Sequence, residues 1–309
     1  MKVRRFQTDD AARWDAFIKE ARNGHFMFMR AYMGYHADRF EDHSLLFEDK
    51  GKLLAVLPAN VVDGHLYSHG GLTFGGIVCG SRMTTAGMLV LFSSLKDYCL
   101  SEGISSIDYK AIPHIYSTVP ASEDLYALFV NEAHLYRRDV SAYIPPGKKE
   151  YSSSKRGNIR KALKNELTYC EESDYSGFWH MLAGVLAGRH EARPTHSIDE
   201  IVTLAKRFPN NIRLFQVRDS NEQLLAGGVL FITNTVAHTQ YLASSDQGRT
   251  VGALDFLIDN LIDEFGNDRS FDFGISTIDQ GRVLNEGLCS FKERFGARAL
   301  MHDFYKLDF

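Results

Sequence analysis

The chain has only four cysteines in 309 residues, Cys79, Cys99, Cys170 and Cys289, and none forms a Cys-x-x-Cys pair or sits beside paired histidines. Such scatter argues against a structural zinc site and a disulfide framework, and it points to a reducing cytoplasm. The four read as small buried hydrophobes. Long apolar runs are also missing. The most apolar stretch, around Met88 to Phe92, falls far short of the ~20 residues that cross a bilayer. The opening MKVRRFQTDDAARWDAF has basic residues but no apolar core and no small-residue cleavage site, so no secretory signal is expected. Nor is there an excess of positive charge. The 35 Lys and Arg against 39 Asp and Glu give −4 and a pI near 6.3. That balance excludes a sequence-independent nucleic-acid coat and a DNA partner, while leaving room for a local basic groove.

Several catalytic signatures are absent as well. Asp-Phe-Gly at 272–274 is the metal-binding signature of protein kinases, yet no Gly-rich loop, strand lysine or His-Arg-Asp loop precedes it. A Gly-x-x-x-x-Gly-Lys-Ser/Thr phosphate loop is likewise missing. The stretch SHGGLTFGG, Ser68 to Gly76, resembles a lipase oxyanion loop, but Gly-x-Ser-x-Gly does not occur. That absence argues against serine hydrolysis, and the glycines read as a tight turn or as a backbone loop touching substrate. In HEARPTH, Pro194 breaks the helical spacing that would bring His190 and His196 to one metal, so no metal site is expected.

What is present is an ordinary globular composition, 44% hydrophobic and 24% charged, in a chain long enough for two domains. A weak internal duplication organises it. HSLLFEDKGKLLAVLPANVVDG and IRLFQVRDSNEQLLAGGVLFITN each read as two strands joined at a turn. Each hairpin leads to a further strand-like run and an amphipathic helix, MTTAGMLVLFSSLKDYCLSEG or TVGALDFLIDNLIDEFGND. A short Asp-containing strand follows in both halves, SSIDYKAI and RSFDFGIS, so Asp108 and Asp272 correspond. A helix and a terminal strand close each half. The expected fold is α/β of the α+β type, with two tandem domains of mixed twisted sheet flanked by helices. The boundary is expected in IPPGKKEYSSS, giving domains 1–147 and 148–309. Three helices open the second half, starting at SKRGNIRKALKNEL, at Ser173 and Asp174, and at Ser197.

Two segments suggest chemistry. In AHTQYLASSDQGRTVGALDFL an extended run leads to a helix expected near Val251. Its free N–H groups, with Gln247, Gly248, Arg249, Thr250, Gly252 and Ala253, would cradle a phosphate or pyrophosphate. The basic helix carrying Lys155, Arg156, Arg160, Lys161 and Lys164 is either a solvated face or a contact for an anionic, nucleotide-linked substrate. Arg156 and Arg160, with His190 and His196, are the candidate substrate contacts. Alternation places Asp272 toward substrate, with Phe271 and Phe273 toward the core. Asp272, His238 and Tyr241, on strands expected near the cleft, are candidate proton-transfer groups, although His238 reads equally well as a satisfied core histidine.

These segments together resemble the FemAB-like branch of the GNAT superfamily, tandem-GNAT acyl and aminoacyl transferases that include peptidoglycan-bridge enzymes. The Arg-x-Asn-Ile-Arg-Lys-Ala helix from Arg156 to Ala162 and the Phe-Lys-x-x-Phe-Gly ending from Phe291 to Gly296 carry the likeness. The GNAT acyl-CoA motif Arg/Gln-x-x-Gly-x-Gly/Ala is matched at Arg249 and Gly252, with Leu254 in place of its last small residue. The resemblance implies acyl transfer to an amine of a cell-envelope or polysaccharide precursor. Acyl-CoA would be the co-substrate, with no permanently bound cofactor, and the donor site would lie in the second domain. It also implies that Lys292 is the reaction-centre lysine, stabilising negative charge. Aminoacyl-tRNA is the alternative donor, mildly disfavoured by net acidity, and a non-catalytic ligand-binding protein is the alternative of another class.

Overall fold

The computed structural model describes residues 1–190 and 193–309, and the chain divides into two compact units. The first comprises Met1–Val140 with Ile278–Val283 and Met301–Phe309, and the second Ser141–Thr277 with Leu284–Leu300. The division differs from the boundary expected in the proline- and glycine-bearing linker. That linker interrupts periodicity, but the last strand, Arg298–Asp308, returns to the first unit, where it pairs antiparallel with Ser106–Lys110. Non-local pairing of this kind leaves no local signal. No described helix is long and apolar enough to cross a membrane.

In the first unit, Lys2–Arg5, Leu45–Asp49, Lys52–Leu57 and Val78–Cys79 form an antiparallel sheet. The hairpin between Leu45 and Leu57 turns at Lys50 and Gly51, both at positive φ. The helix Thr85–Ser101 is capped by the Thr84 hydroxyl, which accepts from Gly87 N–H. It buries Met88, Leu91, Phe92, Leu95 and Cys99 at helical spacing. The SHGGLTFGG loop is clamped by Lys110, whose Nζ donates to the carbonyls of His69, Gly70 and Leu72. Burial pushes that lysine down to about 8.

The second unit carries a mixed sheet in the order Thr168–Glu172, Ile212–Arg218, Leu224–Ile232, Val236–Ser244, Ser270–Ile275, then the end of His134–Ile144. All neighbours run antiparallel except Val236–Ser244 beside Ser270–Ile275, which are parallel. The helix Ala253–Phe265 lies on one face, and its Leu257, Ile258, Leu261 and Phe265 share a core with Phe215, Leu230, Ala237 and Phe271. Ser153–Lys164 is capped by Ser152, as its serine run predicts. Ile198–Arg207 opens with a reciprocal Ser197–Glu200 capping box. The intervening helix starts at Ser176, because Asp174 spends its carboxylate on Ser176 N–H just outside it.

Candidate functional site

The two parallel strands stay together for three register pairs only, Val236–Ser270, Ala237–Phe271 and His238–Asp272. Beyond them, residues of both strands, including Thr239, Leu242, Phe273 and Ile275, line a cavity of about 580 Å³. Gly274 sits at the turning point with φ +76°, a left-handed conformation that suits glycine. A bulge shapes the other strand. Tyr241 opposes Val229 while Thr239 opposes Leu230, which leaves Gln240 as the extra residue. The extra residue puts Thr239 and Leu242 on the cavity face and returns Tyr241 to the opposite face with His238 and Phe231.

Lys292, on the helix Glu286–Glu293, reaches this cavity and is 3% exposed. Its Nζ donates to the carbonyls of Gly274 at 2.8 Å and Ile275 at 2.7 Å. An ammonium has three protons, so one remains for a bound group. Burial lowers this lysine to about 8, with nearby Asp272 opposing the shift.

Strand alternation suggested that Asp272 faces substrate, but Asp272 is not among the residues that line the cavity. It is fully buried, with Oδ1 accepting from Ser141 Oγ at 2.8 Å and from Gly274 N–H at 3.0 Å. Its Oδ2 meets His238 Nδ1 at 2.8 Å. Phe273, expected in the core, belongs both to that core and to the cavity wall. Of the deprotonation candidates, His238 keeps its ring partly exposed at 14%, and its Nε2 has no partner among the described residues. Tyr241 is otherwise engaged. Its hydroxyl meets His196 Nδ1 at 2.6 Å and accepts from His196 N–H, and its ring packs edge-on against Trp179. Burial raises its pKa. His196 is thereby a buried anchor on Tyr241 and not an exposed acceptor contact. His190 ends the helix Ser176–His190, and its side chain lies outside the described residues.

The expected phosphate cradle is rearranged. The helix starts at Asp246, not near Val251, because Ser245 caps it by accepting from Gly248 N–H. Gln247, Gly248 and Thr250 are therefore helical. Gly248 is pressed against Leu225, where a Cβ would lie 2.1 Å from its carbonyl oxygen, and Thr250 Oγ1 donates to Asp246 O. Gly252 then breaks the chain direction at φ +81°, and the long helix begins at Ala253. Arg249 and Gly252 line the cavity, and Arg249 pairs with Asp246 at 2.5 Å.

The same cavity is lined by a cluster that sequence reading missed. Lys155 Nζ meets Asp255 Oδ1 at 2.7 Å, Asn158 Nδ2 donates to Asp255 Oδ2 at 2.6 Å, and the ammonium lies 3.7 Å over the Phe291 ring. Lys155 is 5% exposed, and burial lowers its pKa against the pull of Asp255. A signal for it existed: Lys155, Ile159 and Ala162 stand at i, i+4 and i+7, the inward stripe of an otherwise basic helix. Arg156 and Arg160 face elsewhere. They line a second cavity of about 770 Å³ with Lys149, Tyr151 and Asp259, and Arg156 donates to the Tyr151 carbonyl. Among the described residues no group of three His, Cys, Asp or Glu side chains could hold a metal ion.

No protein-family model and no curated protein sequence matches this chain. Solved structures do match. The crystal structure of FemX superposes with TM-score 0.69 at 14% identity, over 100% of this chain and 98% of that one. The C-terminal domain of a putative lysylphosphatidylglycerol synthetase from Agrobacterium fabrum gives 0.62 at 12%, over 97% and 91%. A tandem GNAT protein from the clavulanic acid biosynthesis pathway gives 0.50 at 10%, over 99% and 98%. The chain shares its fold with these structures, FemX among them.

Proposed function

We propose that this chain, built on the FemX-like tandem-GNAT fold, is an N-acyltransferase that moves an acyl group from a thioester donor to an amine of a cell-envelope or polysaccharide precursor. The parting of the two parallel strands carries the reading. Among the described residues, the strand from Thr239 to Ser244 keeps a strand partner on one side only, and the peptide groups on its other side could take a ligand. An extended donor arm rich in amides suits such an edge as an added strand. The Thr239 hydroxyl, buried and without a partner, offers one more hydrogen bond from the cavity wall. Arg249 and the turn at Gly252 border the same cavity and are the proposed contacts for the donor's phosphates.

In this reading the amine lone pair attacks the thioester carbonyl carbon. The new C–N bond forms as the carbonyl π pair moves onto oxygen, and the remaining Lys292 N–H stabilises that oxyanion. His238, held through Nδ1 by Asp272, takes the amine proton on Nε2. Collapse of the intermediate breaks the C–S bond, and the proton returns to the departing thiolate. Because His238 and the cavity lie on opposite faces of the sheet, donor and acceptor would approach from opposite sides of the gap. Arg156 and Arg160, in their separate cavity, remain proposed contacts for an anionic part of the acceptor. Isothermal titration tests the donor, with acetyl-CoA compared with charged tRNA at matched salt. Binding of the thioester is expected, and no binding of any CoA thioester overturns the reading.

A further inference from the structure

Given a thioester donor in this cavity, which the preceding proposal supplies, the nature of its acyl group follows from the charges and surfaces that line the wall. An aminoacyl group carries an ammonium that, out of water, requires a carboxylate. Asp255 is the sole carboxylate among the described residues of the wall, and both of its oxygens are taken, one by Lys155 at 2.7 Å and the other by Asn158 at 2.6 Å. The wall's other buried charges, Lys155 and Lys292, are cations, and Lys292, which has no carboxylate in contact among the described residues, would repel a further ammonium.

The rest of the lining is dominated by Val185, Leu242, Phe273, Ile275, Leu288 and Phe291. Exposure is graded among them. Phe273 is 5% exposed, whereas Ile275 and Leu288 are each 39% exposed and so keep large apolar surfaces in water until something covers them. An acetyl group brings a single methyl to these surfaces, whereas an aliphatic chain of several methylenes brings apolar area that grows with its length. We infer that the cavity selects an uncharged aliphatic acyl group longer than acetyl and rejects an aminoacyl group.

A matched pair of thioesters tests this. Butyryl-CoA and β-alanyl-CoA have the same number of heavy atoms and differ by a terminal methyl in place of an ammonium. Dissociation constants would be measured by calorimetry on the full chain for CoA, acetyl-CoA, butyryl-CoA, hexanoyl-CoA and β-alanyl-CoA. The expected result is butyryl over β-alanyl by about tenfold or more. Affinity should also rise by about fourfold per methylene from acetyl to hexanoyl, the fold-change equivalent to ~0.8 kcal/mol for each one buried. Equal or tighter binding of β-alanyl-CoA, or affinities that are flat along the series while CoA itself binds, overturns the inference and leaves the thioester reading standing. If neither CoA nor any thioester binds, both fall.

Discussion

Lys292 is the residue on which the proposed chemistry turns, and its protonation has a definite sign. Burial lowers it to about 8, so the ammonium is present below that pH and is lost as pH rises through it. If it stabilises the oxyanion, turnover falls on the alkaline side with an apparent pKa near 8. A pH–rate profile in which Lys292→Arg moves that limb upward would support the role. Lys292→Met should lower kcat by about 10²–10³-fold, the scale of one lost oxyanion donor. A non-catalytic ligand-binding protein would show neither effect. His238→Gln removes the proposed proton acceptor and should cost about 10²-fold or more in kcat with little change in donor affinity. Asp272→Asn should produce the same loss while Nδ1 keeps a partner, with an altered pH profile as the readout that a purely structural role would not move.

Among the elements, the helix Ser153–Lys164 and the helix Ala253–Phe265 are tied together by one buried ion pair and one close backbone approach. Lys155 and Asp255 are each 7% exposed at the side chain. Deleting one partner leaves the other charge buried and should cost about 3–5 kcal/mol. Denaturant unfolding of Lys155→Met should show that loss, and Lys155→Met with Asp255→Leu should recover most of it. Gly252 has no room for a side chain, since a Cβ would lie 2.5 Å from the Asn158 carbonyl, and its φ is +81°. Gly252→Ala should therefore destabilise by more than about 1 kcal/mol, read from the same unfolding curves. These two contacts show why the Arg-x-Asn-Ile-Arg helix matters locally. Its Lys155 and Asn158 secure the cavity wall, while Arg156 and Arg160 face another cavity.

For the whole molecule, the last strand determines where the chain can be divided. Phe304 to Asp308 pair with Lys110 to Ser106 inside the first unit. A 1–147 fragment therefore lacks a strand of its own sheet and exposes an unpaired edge. Expressed alone it should be poorly folded, with reduced near-UV circular dichroism and ready aggregation, whereas a division at the expected linker would produce a folded piece if the units were contiguous. Donor binding should act on the intact chain by mass action, stabilising it by about 2.7 kcal/mol at a hundredfold excess over Kd.

The hairpins, the amphipathic helices, the serine caps at Ser152 and Ser197 and the tandem plan were legible in the sequence, because periodicity and capping are local properties of the chain. So was the prominence of His238, Asp272 and Lys292, as chemical types in suggestive segments. What only the tertiary structure decided was where those groups sit and what they touch. The bulge at Gln240 resets the alternation and puts Tyr241 on the His196 side, and a one-residue insertion in strand pairing has no signature in hydrophobic pattern. Full burial of Asp272 between Ser141 and His238 depends on a strand from far earlier in the chain. The inward turn of Lys155 depends on Asp255, about a hundred positions away. Sequence determines which side chains are available and the local form they take, and long-range pairing decides which of them are buried, which are paired and which are left facing a ligand.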